Sequence, residues 1–298
     1  MSLAGARAGV LKAREDAALD ARVDAVQILP GVTGGSALFR RGTDLMVVHD
    51  DAFRVTCIAL PSFAATPQVL AGGGGALCKT EKPDFESAIQ LDDGSVVLLG
   101  SGSTPMRCNL AFLDLARGSV RIVDRPELFD VLQRALGRDE RPNIEGAAAD
   151  NRCLLLFHRG SGGAHSAILE LPPDALCGGK VQVAAVRRVD LGRLDGVTLG
   201  FTDVARLPDG RVMFLAAAED APDAIADGPV SGSVLGVLDA ALTEARWTRI
   251  CQQDGEPYRQ KAEGLVVDAD GVAGWILTDA DDPGIGAELG HLALRGFI

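Results

Sequence analysis

Five short segments, Gly35-Ser36-Ala37-Leu38, Phe85-Glu86-Ser87-Ala88, Ile144-Glu145-Gly146-Ala147, Phe201-Thr202-Asp203-Val204 and Ala262-Glu263-Gly264-Leu265, recur at steps of 50, 59, 57 and 61 residues. Each sets one oxygen-bearing side chain just ahead of an apolar run. A period of this size predicts a repeat architecture. Turn signals follow each segment at Gly42, Asp92-Asp93-Gly94, Asp150-Asn151, Asp209-Gly210 and Asp270-Gly271. Asp-Gly between apolar runs predicts a hairpin, because Gly, Asn and Asp tolerate the positive φ that tight turns require.

Three further apolar runs complete most units. The second runs cover residues 44–48, 95–99, 153–157, 211–215 and 272–277, and the third cover 54–60, 109–115, 166–171, 233–238 and 290–294. Fourth runs lie at 68–71, 119–124, 181–189 and 245–251. Four strands in a unit of fifty to sixty residues predict a propeller blade. The last unit has only three runs, and the alternating stretch 21–29 supplies its missing strand. The expected fold is therefore all-β: a five-bladed β-propeller with four-stranded blades, closed by the N-terminal strand joining the last blade. Residues 1–20 form a lead-in and 21–298 a single domain.

Composition fits that reading, since the 36 glycines and 14 prolines of the 298 residues are spread along the chain at turns. One helix is expected at 126–136, with Pro at its start and Gly137 after its end. Residues 1–19 read as a frayed helical lead-in without the apolar core of a secretory signal or membrane span. The six cysteines contain no C-x-x-C pair, which favours reduced thiols and a cytoplasmic location. The four histidines lack zinc-ligand spacing. A net charge of −12 argues against general nucleic-acid binding. Oligomeric state is left open.

In a propeller the first strands line the central channel, so Ser36, Glu86, Glu145, Thr202 and Glu263 are expected to form a ring at one mouth. Three unpaired glutamates close together repel one another, and a bound cation relieves the repulsion. Five oxygens plus axial water suit calcium, with magnesium as the alternative. The competing account has these residues capping neighbouring blades, with one glutamate protonated. On the same rim, Asp50 and Glu219 are candidate general bases, and His158 is a candidate catalytic histidine beside Arg159. Lys82, Arg141, Arg159 and Lys261 are candidates to hold a small anionic ligand; alternatively they neutralise the acidic rim. The Gly100-Ser101-Gly102-Ser103 and Ser161-Gly162-Gly163 loops read as tight turns, because neither precedes a helix. No nucleophile elbow is present in the sequence.

The ring order Ser, Glu, Glu, Thr, Glu resembles the Ser, Glu, Glu, Ser, Glu calcium ring of the soluble calcium-activated nucleotidases, five-bladed apyrases that hydrolyse nucleoside di- and triphosphates. Lys261-Ala262-Glu263-Gly264-Leu265 is similar to that family's Lys-x-Glu-Gly-Ile, and Phe201-Thr202-Asp203-Val204 to its Phe-Ser-Asp-Phe. Ala218-Glu219-Asp220 fits its acidic end. Leu156-Phe157-His158-Arg159 stands where the family has Leu-Pro-Arg-Arg, so only the second arginine is kept. The resemblance implies a calcium-dependent apyrase-like or phytase-like hydrolase of a small phosphorylated substrate. The family's aromatic segment after the second glutamate is absent, Glu86 being followed by Ser87-Ala88-Ile89. Two other readings therefore stay open: a ligand-binding or scaffold propeller with structural calcium, and a lactonase-like metal-dependent hydrolase.

Overall fold

A computed structural model describes residues 9–91, 93–160, 165–221, 228–279 and 284–298. Asp92 and residues 161–163, which figure in the turns and loops named above, lie outside the described residues. The regular structure is almost entirely β, with one α-helix among the described residues.

Antiparallel neighbours build four-stranded groups in chain order. Sheet I holds Gly35–Arg41, Asp44–His49, Arg54–Ala59 and Ala64–Val69. Sheet II holds Phe85–Gln90, Val96–Gly100, Asn109–Asp114 and Ser119–Asp124. Sheet III holds Ile144–Ala149, Leu154–His158, Ser166–Leu171 and Ala185–Asp190. Sheet IV holds Val197–Arg206, Val212–Glu219, Val230–Leu238 and Ala245–Gln252. Sheet V holds Lys261–Val267, Ala273–Asp279 and Ala287–Arg295, with the N-terminal Asp20–Leu29 as its fourth strand. That same strand pairs in parallel with Ile250–Gln252 of sheet IV, joining IV and V edge to edge.

The burial pattern explains why the second runs are continuously apolar. Leu45–Val48 and Val96–Leu99 are fully buried, because each second strand is covered on both faces. The covering surfaces are the adjacent sheets. One apolar cluster joins I and II through Phe39, Met46, Phe85 and Leu98, and another joins II and III through Val97, Leu99, Leu154 and Leu156. Phe157, Phe201 and Phe214 stack edge to face at 5.2 and 5.4 Å between III and IV. Met213 and Leu215 meet Leu265 and Ile276 between IV and V, and Val266 and Leu277 meet Leu38 and Val47 between V and I. Outer strands pack less, and Ala64–Val69 is largely exposed.

The helix Pro126–Leu136 forms where expected, with Pro in the first turn and Gly137 at φ 132° beyond the end. Its buried Leu128, Phe129, Leu132 and Leu136 join the cluster between II and III.

The helical reading of residues 1–19 is corrected over the part described. Leu11–Lys12 pairs in parallel with Val189–Asp190 of sheet III, and Arg14–Glu15 pairs with Arg246–Trp247 of sheet IV. The Ala13 and Asp16 amides donate to the Asp190 and Trp247 carbonyls at 2.8 and 2.9 Å. Outer strands offer unpaired backbone groups, and satisfying them outweighs the high intrinsic helix propensity of Ala and Arg.

Candidate functional site

The first strands of the sheets contact one another in a cycle, I with II, II with III, III with IV, IV with V and V with I. All of them line one central cavity of about 650 Å³. Every one carries a register shift against its second strand: between Gly35 and Ala37, Phe85 and Ser87, Ile144 and Gly146, Phe201 and Asp203, and Ala262 and Gly264. The skipped residues are Ser36, Glu86, Glu145, Thr202 and Glu263. A bulge leaves one residue out of the ladder and re-aims its side chain. The repeat seen in the sequence is thus a repeat of the bulge.

The two hydroxyls tie neighbouring sheets. Ser36 Oγ donates to the Phe85 carbonyl at 2.5 Å and Thr202 Oγ1 to the Ala262 carbonyl at 2.6 Å, in both cases just before the next glutamate. Glu145 Oε1 accepts from Asn143 Nδ2 at 2.7 Å, and its Oε2 lies 3.7 Å from Arg159 Nη1. Glu263 Oε1 lies 2.9 Å from Lys261 Nζ. Glu86 makes no hydrogen bond or ion pair among the described residues. Burial, and then the Asp84, Glu145 and Asp50 carboxylates, push its carboxyl well above the usual range. Burial also raises Glu145 to about 7, with Arg159 opposing and Glu263 adding to the rise.

Second-strand ends and entering loops complete two connected charge networks. In one, Lys82 bridges Asp50 and Asp84, while Arg107 lies 3.0 Å from Asp84 and the Ser101 hydroxyl donates to it. Carboxylate oxygens of Asp50, Asp84 and Glu86 all fall within 4.8 Å of one another. In the other, Glu219 accepts from Arg159 Nη2 at 2.8 Å and lies 3.4 Å from Lys261 Nζ. Against a burial penalty, Lys261 and Arg159 hold Glu219 below the usual carboxylate range. Asp50 is instead raised, chiefly by burial. The structure thus gathers Asp50, Lys82, Arg159, Glu219 and Lys261 around the ring glutamates. Six carboxylates face four cations there, so the residues present fit a divalent cation by charge. Glu86, which has no hydrogen bond or ion pair among the described residues and feels the Lys82 charge only at longer range, is the observation that points to one.

Two sequence candidates lie elsewhere. Arg141 is exposed, close enough to influence the Cys108 thiol. His158 is fully buried rather than open on a rim; its Nδ1 accepts from the Asn143 amide at 3.0 Å and its Nε2 pairs with Glu140 at 2.9 Å. Through Asn143 it positions Glu145. His49 holds the equivalent place in sheet I, donating from Nδ1 to the Thr33 carbonyl at 2.7 Å and accepting from Thr56 at 2.8 Å. Burial, and then the Arg54 charge, lower its pKa to about 4. An unfolded histidine titrates near 6.5, so between about pH 6.5 and 4 the unfolded state binds the extra proton. The His49 contribution to stability is expected to fall across that window by about 3 kcal/mol, while the raised Glu86, Glu145 and Asp203 carboxyls act in the opposite sense. Urea melts of the parent chain and His49→Gln at pH 7 and pH 4.5 check this: the parent should lose more stability, or gain less, than the variant.

Asp84, Arg107 and Asp203 were not singled out by sequence reasoning. Asp203 Oδ1 accepts from the Val204 amide and Oδ2 from the Leu265 amide, both at 2.7 Å, and the Leu38 amide also donates to this carboxylate. One side chain thereby links the first strands of IV, V and I. Burial pushes its carboxyl well up, while the three amides pull the other way. Gly264 permits the close approach of V to I, since a Cβ there would stand 2.8 Å from Leu38 Cγ.

Structural similarity is broad at low sequence identity. Glutaminyl cyclase of Myxococcus xanthus aligns over 96% of this chain and 99% of its own, with 11% identity and a TM-score of 0.55. A GH43 β-1,3-galactosidase aligns over 89% of this chain with 10% identity and a TM-score of 0.53, and the chain spans only 56% of that protein. At such identities the likeness concerns the fold alone, which is a β-propeller. No curated protein matches the sequence. A family model does match, over residues 31–294, and the chain belongs to that family, DUF6929, a family of unknown function.

Proposed function

We propose that this chain is a five-bladed propeller closed by Asp20–Leu29, with a calcium ion held at its carboxylate mouth, acting as a hydrolase on a small phosphorylated substrate. The cyclic contacts of the first strands and the apolar cluster between sheets V and I support the blade count and the closure. The observation that carries the metal site is the bulge shared by Ser36, Glu86, Glu145, Thr202 and Glu263, together with a Glu86 carboxylate that has no hydrogen bond or ion pair among the described residues. Calcium, or magnesium in its place, supplies positive charge that offsets the carboxylates and polarises a phosphoryl oxygen.

The ring side chains hold the cation in this reading. Asp50 or Glu219 takes the proton of the attacking water, and Lys82, Arg159 and Lys261 orient the anion. His158 keeps Asn143, and so Glu145, in place. Arg141 has no part. The chain is read as cytoplasmic, with a small anion rather than nucleic acid or membrane as its partner.

A second reading is favoured by the ion pairs: Lys82, Arg159 and Lys261 are already engaged by carboxylates. Calcium then only ties the sheets together. Calorimetric calcium titration, and phosphate release from a panel of nucleotides and inositol phosphates, separate these readings. Calcium binding that weakens at least tenfold in Glu145→Gln, with calcium-dependent turnover, is the expected result. Binding and thermal stabilisation without turnover leave the structural role, and no calcium or magnesium binding sinks both.

A further inference from the structure

Asp20–Leu29 is paired along its length on one side only. Its register with Ala287–Arg295 runs from Asp20 to Leu29, whereas on the other side Ile250–Gln252 covers only Ala21, Arg22 and Val23. From Asp24 to Ile28 that second edge has no strand beside it among the described residues. Backbone groups alternate in direction along a strand, so about half of the N–H and C=O groups over 24–28 point out of this edge. The molecule already fills such edges with extended chain: Leu11–Lys12 lies along sheet III and Arg14–Glu15 along sheet IV.

The open edge borders a groove of about 970 Å³. Residues 23–26 and Glu288 line it from sheet V, and residues 252–254 and 256–260 line it from the loop that leaves sheet IV. The loop is held by its own turn, with the Gln252 amide donating to the Glu256 carbonyl at 2.7 Å and the Tyr258 amide to the Ile250 carbonyl at 3.0 Å. Val26 and Ile28 share one face of the strand and are 49% and 45% exposed, although Val23 and Leu29 of the same strand are buried. Charge around the groove is one-sided: Asp24, Asp254, Glu256 and Glu288 face a single cation, Arg259, among the lining residues. Glu288 accepts from Tyr258 Oη at 2.5 Å and Gln260 Nε2 at 3.2 Å, and Asp24 Oδ1 lies 2.7 Å from His291 Nδ1. Asp254 and Glu256 are exposed and carry no ion pair among the described residues.

We propose that this groove docks an extended, basic segment of a partner protein, which adds as a strand along residues 24–28. Its Lys or Arg side chains meet the acidic loop, and an apolar side chain packs against Val26 and Ile28. The surface lies at the junction of sheets IV and V, so its use does not depend on the cation site or on any reaction there. In strand addition the main-chain bonds supply affinity and alternate side chains supply specificity. An acidic segment would meet like charge from four carboxylates. The outer strand Ala64–Val69 of sheet I is a poorer template, because Pro67 has no N–H to offer a ladder.

Fluorescence anisotropy of a fluorescein-labelled Lys-Val-Lys-Val-Lys-Val amide, titrated with the full chain at physiological ionic strength, tests this. Saturable binding is expected, at least tenfold tighter than that of the same peptide with Glu in place of Lys. Val26→Lys and Glu256→Lys change exposed residues, so each should weaken the basic peptide tenfold or more and leave the melting temperature within a few degrees of the parent. Val69→Lys, on the exposed outer strand of sheet I, should leave binding unchanged. Methylating either the lysine amides or the valine amides of the peptide should abolish binding in one case only, because only one set faces the strand edge. No saturable binding, equal affinity for the acidic peptide, binding untouched by both groove variants, or the same response to both methylations would overturn the proposal.

Discussion

A chain lacking residues 1–29 is expected to lose cooperative folding altogether. The deletion strips Asp20–Leu29 from Ala287–Arg295 and removes the buried Leu19, Val23 and Leu29 from the packing of sheet V. Those three side chains alone account for about 6 kcal/mol of burial, comparable to the roughly 5–15 kcal/mol net stability of a typical protein. Loss of the parallel pairing to Ile250–Gln252 also separates IV from V. A chain lacking only residues 1–19 keeps Asp20–Leu29 paired with Ala287–Arg295 and should melt cooperatively at a moderately lower temperature. Circular dichroism melts of both truncations decide the matter. A cooperative transition in the shorter chain within a few degrees of the full protein would show that Asp20–Leu29 does not hold the fold together.

The second large effect is expected at Asp203. Its replacement by Ala leaves buried amides of three strands without their acceptor, at about 1–3 kcal/mol each. A loss of roughly 3–5 kcal/mol follows, or a melting temperature lower by on the order of 10 °C in a protein of this size. Asparagine keeps one acceptor oxygen and should lose about half as much. The comparison of Asp203→Ala, Asp203→Asn and the parent chain by chemical denaturation is direct. If both variants unfold at the parent midpoint, the amide bonds contribute nothing of this kind.

The strand plan was legible because each hairpin is local. An apolar run, an Asp-Gly or equivalent turn and a second apolar run are adjacent in sequence, so their pairing needs no knowledge of the rest of the chain. The helix was legible for the same reason, with Pro126 and Gly137 marking its ends. Residues 9–19 were misread as helical because their conformation is set by outer edges that lie far away in sequence. The rim cations stood out beside the ring glutamates, but Arg141 has the same spacing as Lys82 and does not share its place.

Asp203 left a signal that was overlooked. The residue after each bulge is Ala37, Ser87, Gly146 or Gly264, all small, and Asp203 is the exception. A carboxylate in a row of positions reserved for small residues has to find buried donors, and here they come from three strands. Asp84 was hidden differently. Its partners Lys82, Ser101 and Arg107 come from two loops that only the fold brings together.

Pairing of Asp20–Leu29 with Ala287–Arg295 has a consequence for the chain as it is synthesised. Asp20–Leu29 is made ahead of sheets I to IV and must wait for a partner made some 270 residues later. At about 5–20 residues per second, that wait is roughly a quarter of a minute to a minute. Until Ile250–Gln252 of sheet IV is made, Val23, Val26, Ile28 and Leu29 sit on a strand with no neighbour, and until Ala287–Arg295 follows its other edge stays open, while sheets I to III can already pair locally. Such a segment attracts other unpaired edges. Slowing translation anywhere between Leu29 and Ala287 should therefore raise aggregation of the nascent chain.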